Sequence, residues 1–223
     1  MSNIKLVHSG GNSVSLTTPD SNPVANRTFK LPGADGTSGQ AMVTDGSGAL
    51  SFASMPSGGL SMADNWRWTT EFTQSNTTSF LTTTSSWERP DSKLGIGANP
   101  LGTGMTQSGG IFSFPSTGYW LVSCTVQIKI NTGDSRYSHH YIKYTSDNGS
   151  NWSNATRSSS NYLDTGDGNA SFGDNHSEKI FDITDTSNQK IKIHVSGTDT
   201  DMISLGDSNA NYTYIRFIKL AET

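Results

Sequence analysis

From Tyr119 to Ile130 every second side chain is apolar, and from Ser123 onward polar residues fill the positions between them. Successive side chains of a β-strand point to opposite faces, so this period of two predicts a long strand with one face in a hydrophobic core. The predicted core face consists of Trp120, Val122, Cys124, Val126, Ile128 and Ile130. Cys124 is the single cysteine of the chain, so it has no partner for an internal disulfide and is predicted to fill the core as a small apolar side chain.

Shorter alternating runs recur toward the C-terminus, and no segment shows a sustained 3.6-residue apolar repeat. Hydrophobic residues make up only 32% of the sequence, and the abundant Ser, Thr, Asn and Gly favour strands and turns over helix interiors. Ile180–Ile183 and Ile191–Val195 are separated by turn residues and are predicted to form a hairpin. Further strands are predicted at Asn65–Phe72, Gly110–Phe114, Ser138–Tyr144, Met202–Leu205 and Asn211–Leu220. About seven strands predict an all-β two-sheet sandwich or jelly roll.

The segment before residue 55 has a different pattern. Short strands are predicted at Lys5–His8 and Asn12–Thr17, and Asp45–Gly48 is a tight-turn signal. Because its apolar residues are too few to enclose a core, this segment is predicted to be stable only against copies of itself or another protein. The apolar residues predicted to pack against such a surface are Ile4, Leu6, Val7, Val14, Leu16, Phe29, Leu31, Met42, Val43, Leu50 and Phe52.

The domain boundary is predicted at a Pro-, Gly- and Ser-rich stretch that begins at Met55. We therefore divide the chain into an extended, stalk-like N-terminal β module (1–54), a linker (55–62) and a C-terminal sandwich (63–223). The final run, Tyr212–Leu220, is apolar on both faces over part of its length, which predicts a central strand covered on both sides. Another subunit would supply one of the covering surfaces.

Charge and hydropathy exclude some partners. The formal net charge is −4 and the basic residues are scattered, so nucleic acid is not an expected partner. No stretch approaches the ~20 apolar residues that a membrane span needs, and polar residues follow Met1–Leu6 where a signal peptide would carry its apolar region. We expect neither a signal peptide nor membrane insertion.

Few residues carry candidate chemistry. His139 and His140 are neighbours on a predicted strand, so their rings point to opposite faces and do not chelate one ion together. Asp164–Asp174 lacks the alternate-residue carboxylates of a calcium loop, and Asp199–Asp201 is an equally weak calcium candidate. No cofactor is therefore expected. A calcium ion bound at a subunit junction stays open as an alternative. No catalytic constellation occurs, and the chain is predicted not to be an enzyme.

Two aromatic residues in polar loops are candidates for facing a ligand. Trp and Tyr offer flat apolar faces on which sugars stack. The candidates are Trp152 and Tyr162. The alternative for each is a loop anchor packed on its own sandwich.

The segment Leu31–Phe52, LPGADGTSGQAMVTDGSGALSF, resembles a module of phage and phage-like fibre proteins that reads roughly LPxxDGxxGQxLxTDGxGxLxW. It departs from that pattern at Met42 and Phe52, which replace Leu and Trp with side chains of similar character. Val7–Asp20 resembles the segment that often precedes the module in marine phage structural proteins. The resemblance implies an elongated, trimeric part of a virion, in which the apolar residues of this segment named above would dock on the virion or pack in the trimer.

The C-terminal part is similar to the C1q and tumour-necrosis-factor-like (TNF-like) jelly roll. Gly110–Val122 matches the family's order of aromatic, Pro, Gly and aromatic residues before a long strand, and Tyr214–Ala221 matches its last strand. This similarity implies a jelly-roll knob that forms homotrimers, with the last strand beside the three-fold axis.

Together these features predict a trimeric fibre or spike protein on the virion of a tailed bacteriophage, assembled in the host cytoplasm. Two alternatives stay open. The knob is a receptor-binding adhesin that recognises a host surface polysaccharide through loops at 145–175, or the chain is a capsid decoration or head-fibre protein. The expected partners are further copies of the chain, tail or capsid proteins, and a host glycan.

Overall fold

The computed structural model of the chain describes residues 4–16, 20–21, 23–54, 59–74, 79–80, 86–90, 99–163, 167–197 and 201–223. It divides into two compact units, Met1–Gly58 and Gly59–Thr223. The division falls inside the predicted linker, of which residues 55–58 lie outside the described residues. Each unit is described by itself below.

The N-terminal unit contains two antiparallel hairpins, β1 (Ile4–Val7) with β2 (Ser13–Leu16) and β3 (Gln40–Thr44) with β4 (Leu50–Ser54). The turn between β3 and β4 is organised by Asp45, whose carboxylate accepts hydrogen bonds from the backbone N–H groups of Ser47 and Ala49 at 2.8 and 3.0 Å. Asp at the start of a tight turn commonly bonds the backbone in this way. The Asp-Gly and Ser-Gly pairs therefore mark a hairpin turn, as the sequence predicts.

The C-terminal unit is all-β, and its described residues contain no α-helix. Its strands are β5 (Ala63–Trp68), β6 (Phe72–Thr73), β7 (Ser79–Phe80), β8 (Trp87–Glu88), β9 (Thr106–Ser108), β10 (Ile111–Ser113), β11 (Gly118–Ile130), β12 (Ser135–Thr145), β13 (Ser153–Asn154), β14 (Ser158–Tyr162), β15 (Ser171–Ile183), β16 (Lys190–Gly197), β17 (Met202–Ser204) and β18 (Tyr214–Ala221).

These strands form two antiparallel sheets. Sheet I has the order β13-β12-β16-β10-β9, with β14 also on β12 and β7 also on β16. Sheet II has the order β6-β17-β11-β18-β5-β8, and β15 pairs with the other edge of β11 along its whole length. Several neighbouring pairs come from distant parts of the chain, such as β10 with β16 and β11 with β18, and such crossovers are the pattern of a jelly roll.

The core lies between the two sheets and confirms the predicted inward face of β11. Trp120, Val122, Cys124, Val126 and Ile128 are all 0% exposed. Sheet I contributes the buried residues Phe112, Ile142, Ile191, Ile193 and Val195. Burial of one such side chain contributes about 1.5–3 kcal/mol, so this shared core is the main source of stability in the unit.

The predicted hairpin of Ile180–Ile183 with Ile191–Val195 is wrong. β15 pairs with β11 in sheet II, where Ile180 lies opposite Leu121, whereas β16 pairs with β12 in sheet I. Both strands have longer partners elsewhere, and the chain between them crosses from one sheet to the other. Gln189 fixes this crossing, because its Oε1 accepts bonds from the backbone N–H groups of Thr184 and Asp185, each at 2.7 Å.

Candidate functional site

The apolar side chains of the N-terminal unit are largely exposed. Leu6 is 66% exposed, Phe29 66% and Leu31 77%, and Ile4, Val7 and Met42 are exposed as well. Val43, Leu50 and Phe52 are half-buried, and the side chains of Val14 and Leu16 lie outside the described residues. Within this unit, hairpin surfaces that a core would normally cover remain open to solvent.

Two glycines of the segment, Gly36 and Gly48, lie against neighbouring groups that leave no room for a side chain. The Phe52 ring lies against Gly36, where a Cβ would come within 2.7 Å of the ring. Gly48 has φ +98°, and a Cβ there would overlap the carbonyl oxygen of Thr28. Because the two backbone segments approach closely here, Lys30 forms two backbone hydrogen bonds with the hairpin. Its N–H donates to the Gly48 carbonyl at 2.8 Å, and its carbonyl accepts from Leu50 N–H at 2.9 Å. The motif therefore joins the segment before the hairpin to the hairpin itself.

The solvent face of sheet II carries an apolar row. Leu121 on β11 lies opposite Ile180 on β15 and opposite Ile218 on β18. Ile180 is 54% exposed, and the other two side chains are half-buried. Tyr119 and Leu220, both exposed, extend the row toward one end of the sheet. We call these five residues the sheet II row.

Polar pairs flank the sheet II row on the same face. Ser123 lies between Glu178 on β15 and Arg216 on β18. Thr125 Oγ1 and His176 Nδ1 lie 2.9 Å apart, at hydrogen-bonding distance. Gln127 Nε2 donates to Asp174 Oδ1 at 2.9 Å. An apolar centre beside a rim of polar pairs is the composition of a protein interface.

The two candidate ligand-facing aromatics behave differently. Tyr162 is 4% exposed and belongs to the core, so the prediction that it faces a ligand is wrong. Its ring packs against Gly173 on β15, where a Cβ would lie 2.7 Å from the ring, and this missing side chain admits the ring into the sandwich. Trp152 is half-buried: its Nε1 donates to the Gly149 carbonyl at 3.0 Å, and Lys192 Nζ lies 4.0 Å from its ring centroid.

The histidine pair on β12 is divided between the two faces of sheet I. His140 is 0% exposed inside the sandwich, and burial lowers its pKa to about 3. His139 is half-buried on the outer face, where its ring stacks on Tyr137 with a centroid distance of 4.1 Å. Burial and the charge of Arg157 both lower the pKa of His139.

The described residues contain no group of three or more His, Cys, Asp or Glu side chains that could hold a metal ion. Of the two weak calcium candidates, residues 164–166 and 199–200 lie outside the described residues. Asp174 uses its Oδ1 to accept a hydrogen bond from Gln127. Across the described ranges, no helix is long and apolar enough to cross a membrane.

The fold has counterparts among solved structures. Eiger TNF from S. frugiperda is 17% identical to this chain with a TM-score of 0.50, and the match covers 73% of this chain and 94% of that one. Murine APRIL, in crystals at pH 8.5 and pH 5.0, is 11% identical with TM-scores of 0.46 and 0.47, and each match covers 71% of this chain and 98% of that one.

The likeness to Eiger and the two-sheet topology show that the C-terminal unit is a TNF-like jelly roll. No known protein family matches the sequence, and no curated protein matches it either. What the fold does in this protein is therefore argued from its surfaces.

Proposed function

We propose that this chain is a non-enzymatic structural protein that forms homotrimers and serves as a fibre or spike on the virion of a tailed bacteriophage. The sheet II row is the observation that carries the proposal, because Leu121, Ile180 and Ile218 place an apolar surface on the side of the sheet that faces away from the core. Exposed contiguous apolar surface commonly marks a protein interface.

The position of the row favours a ring of subunits. Ile180 lies on β15, an edge strand of sheet II, whereas Leu121 and Ile218 lie on its interior strands. A contact between the edge of one subunit and the face of the next joins two different surfaces, and repetition of such a contact closes into a ring when the rotation allows. That the ring contains three subunits is inferred from the resemblance to C1q and TNF-like jelly rolls.

The N-terminal unit supports the virion part of the proposal. It leaves Leu6, Phe29 and Leu31 exposed, so it requires other surfaces to bury them. Leu31–Phe52 resembles a module of phage fibre proteins, in which such segments lie in elongated trimeric parts of the particle. We assign this unit to virion docking and trimer packing, and the jelly roll to a distal knob.

Sedimentation of the full chain tests the trimer. Wild type is expected to sediment as a trimer, and Leu121→Glu is expected to yield a folded monomer because a carboxylate would be buried in the interface. Leu163→Glu is the matched control, since Leu163 is 67% exposed and follows β14 of sheet I. A monomeric wild type would overturn the trimer, and a trimeric Leu121→Glu protein would overturn the assigned surface.

A reconstruction of the intact particle tests the location. Three copies of the N-terminal unit around one axis, at the tail or at a capsid vertex, would support a fibre. Single copies lying between capsid subunits would instead identify a decoration protein and overturn the fibre assignment.

A further inference from the structure

The solvent face of sheet I carries three lysines on adjacent strand positions. Lys143 on β12 lies directly opposite Lys192 on β16, and Lys190 is two residues from Lys192 on the same face. Facing residues on neighbouring strands have Cβ atoms about 4.5–5.5 Å apart, and residues two apart on one strand are separated by about 7 Å. We call Lys143, Lys190 and Lys192 the lysine face.

Aromatic side chains fix the lysine face in position. Lys192 Nζ lies 4.0 Å from the Trp152 ring centroid, and Lys143 Nζ lies 5.6 Å from the Tyr141 centroid. Lys190 Nζ donates to Ser113 Oγ at 3.1 Å. These contacts restrict the lysine side chains before a ligand arrives, which reduces the ordering cost of binding there.

The arrangement costs stability. Like charges directly opposite on neighbouring strands repel each other, and Lys192 is only 9% exposed, so its ammonium group has lost much of its hydration. Burial and the charge of Lys143 lower the pKa of Lys192. Destabilising features that persist in a folded domain are often tied to function.

The acidic residue that follows β12 in the chain, Asp147, bonds within its own loop. Among the described residues, no carboxylate forms an ion pair with Lys143 or Lys190. Asp147, in the loop after β12, accepts bonds on Oδ1 from Thr145 Oγ1 at 2.6 Å and on Oδ2 from Asn151 Nδ2 at 2.7 Å. The charge of Asp147 is therefore used to fold its own loop, the loop that also carries Trp152.

We propose that the lysine face binds an anionic polysaccharide, whose acidic groups accept charge-assisted hydrogen bonds from Lys143 and Lys190 while a sugar ring packs beside Trp152, and that Lys192 adds positive charge to the face. Ammonium groups and carboxylate or sulfate oxygens form strong hydrogen bonds, and aromatic rings suit the apolar faces of sugars. Nucleic acid is a poorer fit, because this chain has a net charge of −4 and the face offers only a short basic patch.

The proposal stands independently of the trimer. The lysine face belongs to sheet I, whereas the sheet II row belongs to the other layer of the sandwich. Occupancy of the lysine face would give the knob a role in contact with an acidic surface coat. Loss of binding and loss of assembly are separate measurements, so the two proposals fail separately.

The test is calorimetric titration of the full chain with polygalacturonate and dextran sulfate at low salt, with neutral dextran as the uncharged probe. Wild type is expected to bind at least one of the two acidic chains and not dextran. The Lys143→Gln/Lys190→Gln double variant is expected to bind at least about tenfold more weakly, the effect of losing about 1.4 kcal/mol. Polygalacturonate and dextran sulfate distinguish carboxylate from sulfate as the acidic group.

Lys5→Gln/Lys179→Gln is the matched control, because both lysines are exposed and the net charge changes equally. It is expected to bind within twofold of wild type. Absence of binding to both acidic chains, or equal weakening in the two double variants, would overturn the proposal. Equally tight binding of polyglutamate or duplex DNA, with the same loss in the lysine-face variant, would overturn the assignment to a polysaccharide.

Discussion

Arg89 forms a bidentate contact with the carboxylate of Asp64, in which Nε donates to Oδ1 and Nη2 donates to Oδ2, each at 2.9 Å. The Asp64 side chain is 1% exposed, and it also accepts bonds from Met105 N–H at 2.7 Å and Trp66 Nε1 at 2.9 Å. The Arg89 guanidinium lies over the Trp66 ring, 4.4 Å from its centroid. One buried carboxylate therefore ties three separate segments of the jelly roll together.

Replacement of this arginine is expected to destabilise the jelly roll. Arg89→Met leaves a buried carboxylate without its cationic partner, which typically lowers the free energy of unfolding by about 3 kcal/mol. The free energy of unfolding of Arg89→Lys is expected to lie between those of Arg89→Met and wild type. Lysine keeps the positive charge but cannot form the bidentate contact of the guanidinium group. Urea denaturation measures both. Arg136→Met is the control, because Arg136 is exposed, and an equal loss there would contradict the assigned role of the Asp64 contact.

Two glycines in the turn of the second hairpin separate backbone strain from steric overlap. Gly46 and Gly48 have φ +79° and +98°, but only Gly48 lies against another backbone segment, at the Thr28 carbonyl. Gly46→Ala is expected to lower the free energy of unfolding by about 1 kcal/mol, because alanine is strained in the left-handed conformation. Gly48→Ala is expected to lower the free energy of unfolding further, because the added Cβ would overlap the Thr28 carbonyl. It is also expected to break the hydrogen bonds of the Lys30 and Leu50 amides. Hydrogen exchange at those two amides measures the difference, and equal exchange in both variants would contradict the packing role of Gly48.

The strands of the jelly roll were predictable because their cause is local. The alternation from Tyr119 to Ile130 sets the inward face of β11 whatever its partners are, and the structure confirms it. The predicted start of the last strand at Asn211 is three residues early, since β18 begins at Tyr214. Polar residues of that stretch carry no periodic signal, and such boundaries depend on where the pairing partner ends.

Pairing and burial were harder to predict because their causes are distant in sequence. Ile180–Ile183 and Ile191–Val195 have the pattern of a hairpin, yet each strand has a longer partner in a different sheet. Tyr162 lies in a polar stretch typical of an exposed loop, but Gly173 on another strand makes room for its ring. The lysine face was missed for the same reason, since Lys143 and Lys192 become neighbours only through the register of β12 and β16.

Acid is expected to destabilise the jelly roll through His140. Burial lowers the pKa of this ring from 6.5 to about 3, and the charge of His176 adds to the effect. Below pH 6.5 the unfolded chain takes up a proton that the folded chain does not, so the free energy of unfolding falls as the pH falls from about 6.5 toward 3. The expected slope from this residue is about 1.4 kcal/mol per pH unit.

Urea denaturation between pH 7 and pH 4 measures this slope. His140→Met, which keeps an apolar side chain in the core, is expected to remove the contribution of one proton from the slope. His8→Asn is the control, since His8 is exposed in the N-terminal unit. An unchanged slope in the His140→Met protein would show that the acid sensitivity arises elsewhere.

The buried thiol of Cys124 provides a direct probe of how often the sandwich opens. Cys124 is 0% exposed, and burial raises the pKa of its thiol. Because the thiolate is the reactive form, a disulfide reagent such as DTNB is expected to modify the folded protein only through unfolding. When opening and closing are fast relative to labelling, the rate follows the population of open molecules. Arg89→Met should then label about a hundredfold faster than wild type, as a loss of about 3 kcal/mol requires. Rapid, complete modification of the folded wild type would contradict the position of this residue in the core and, with it, the inward face of β11.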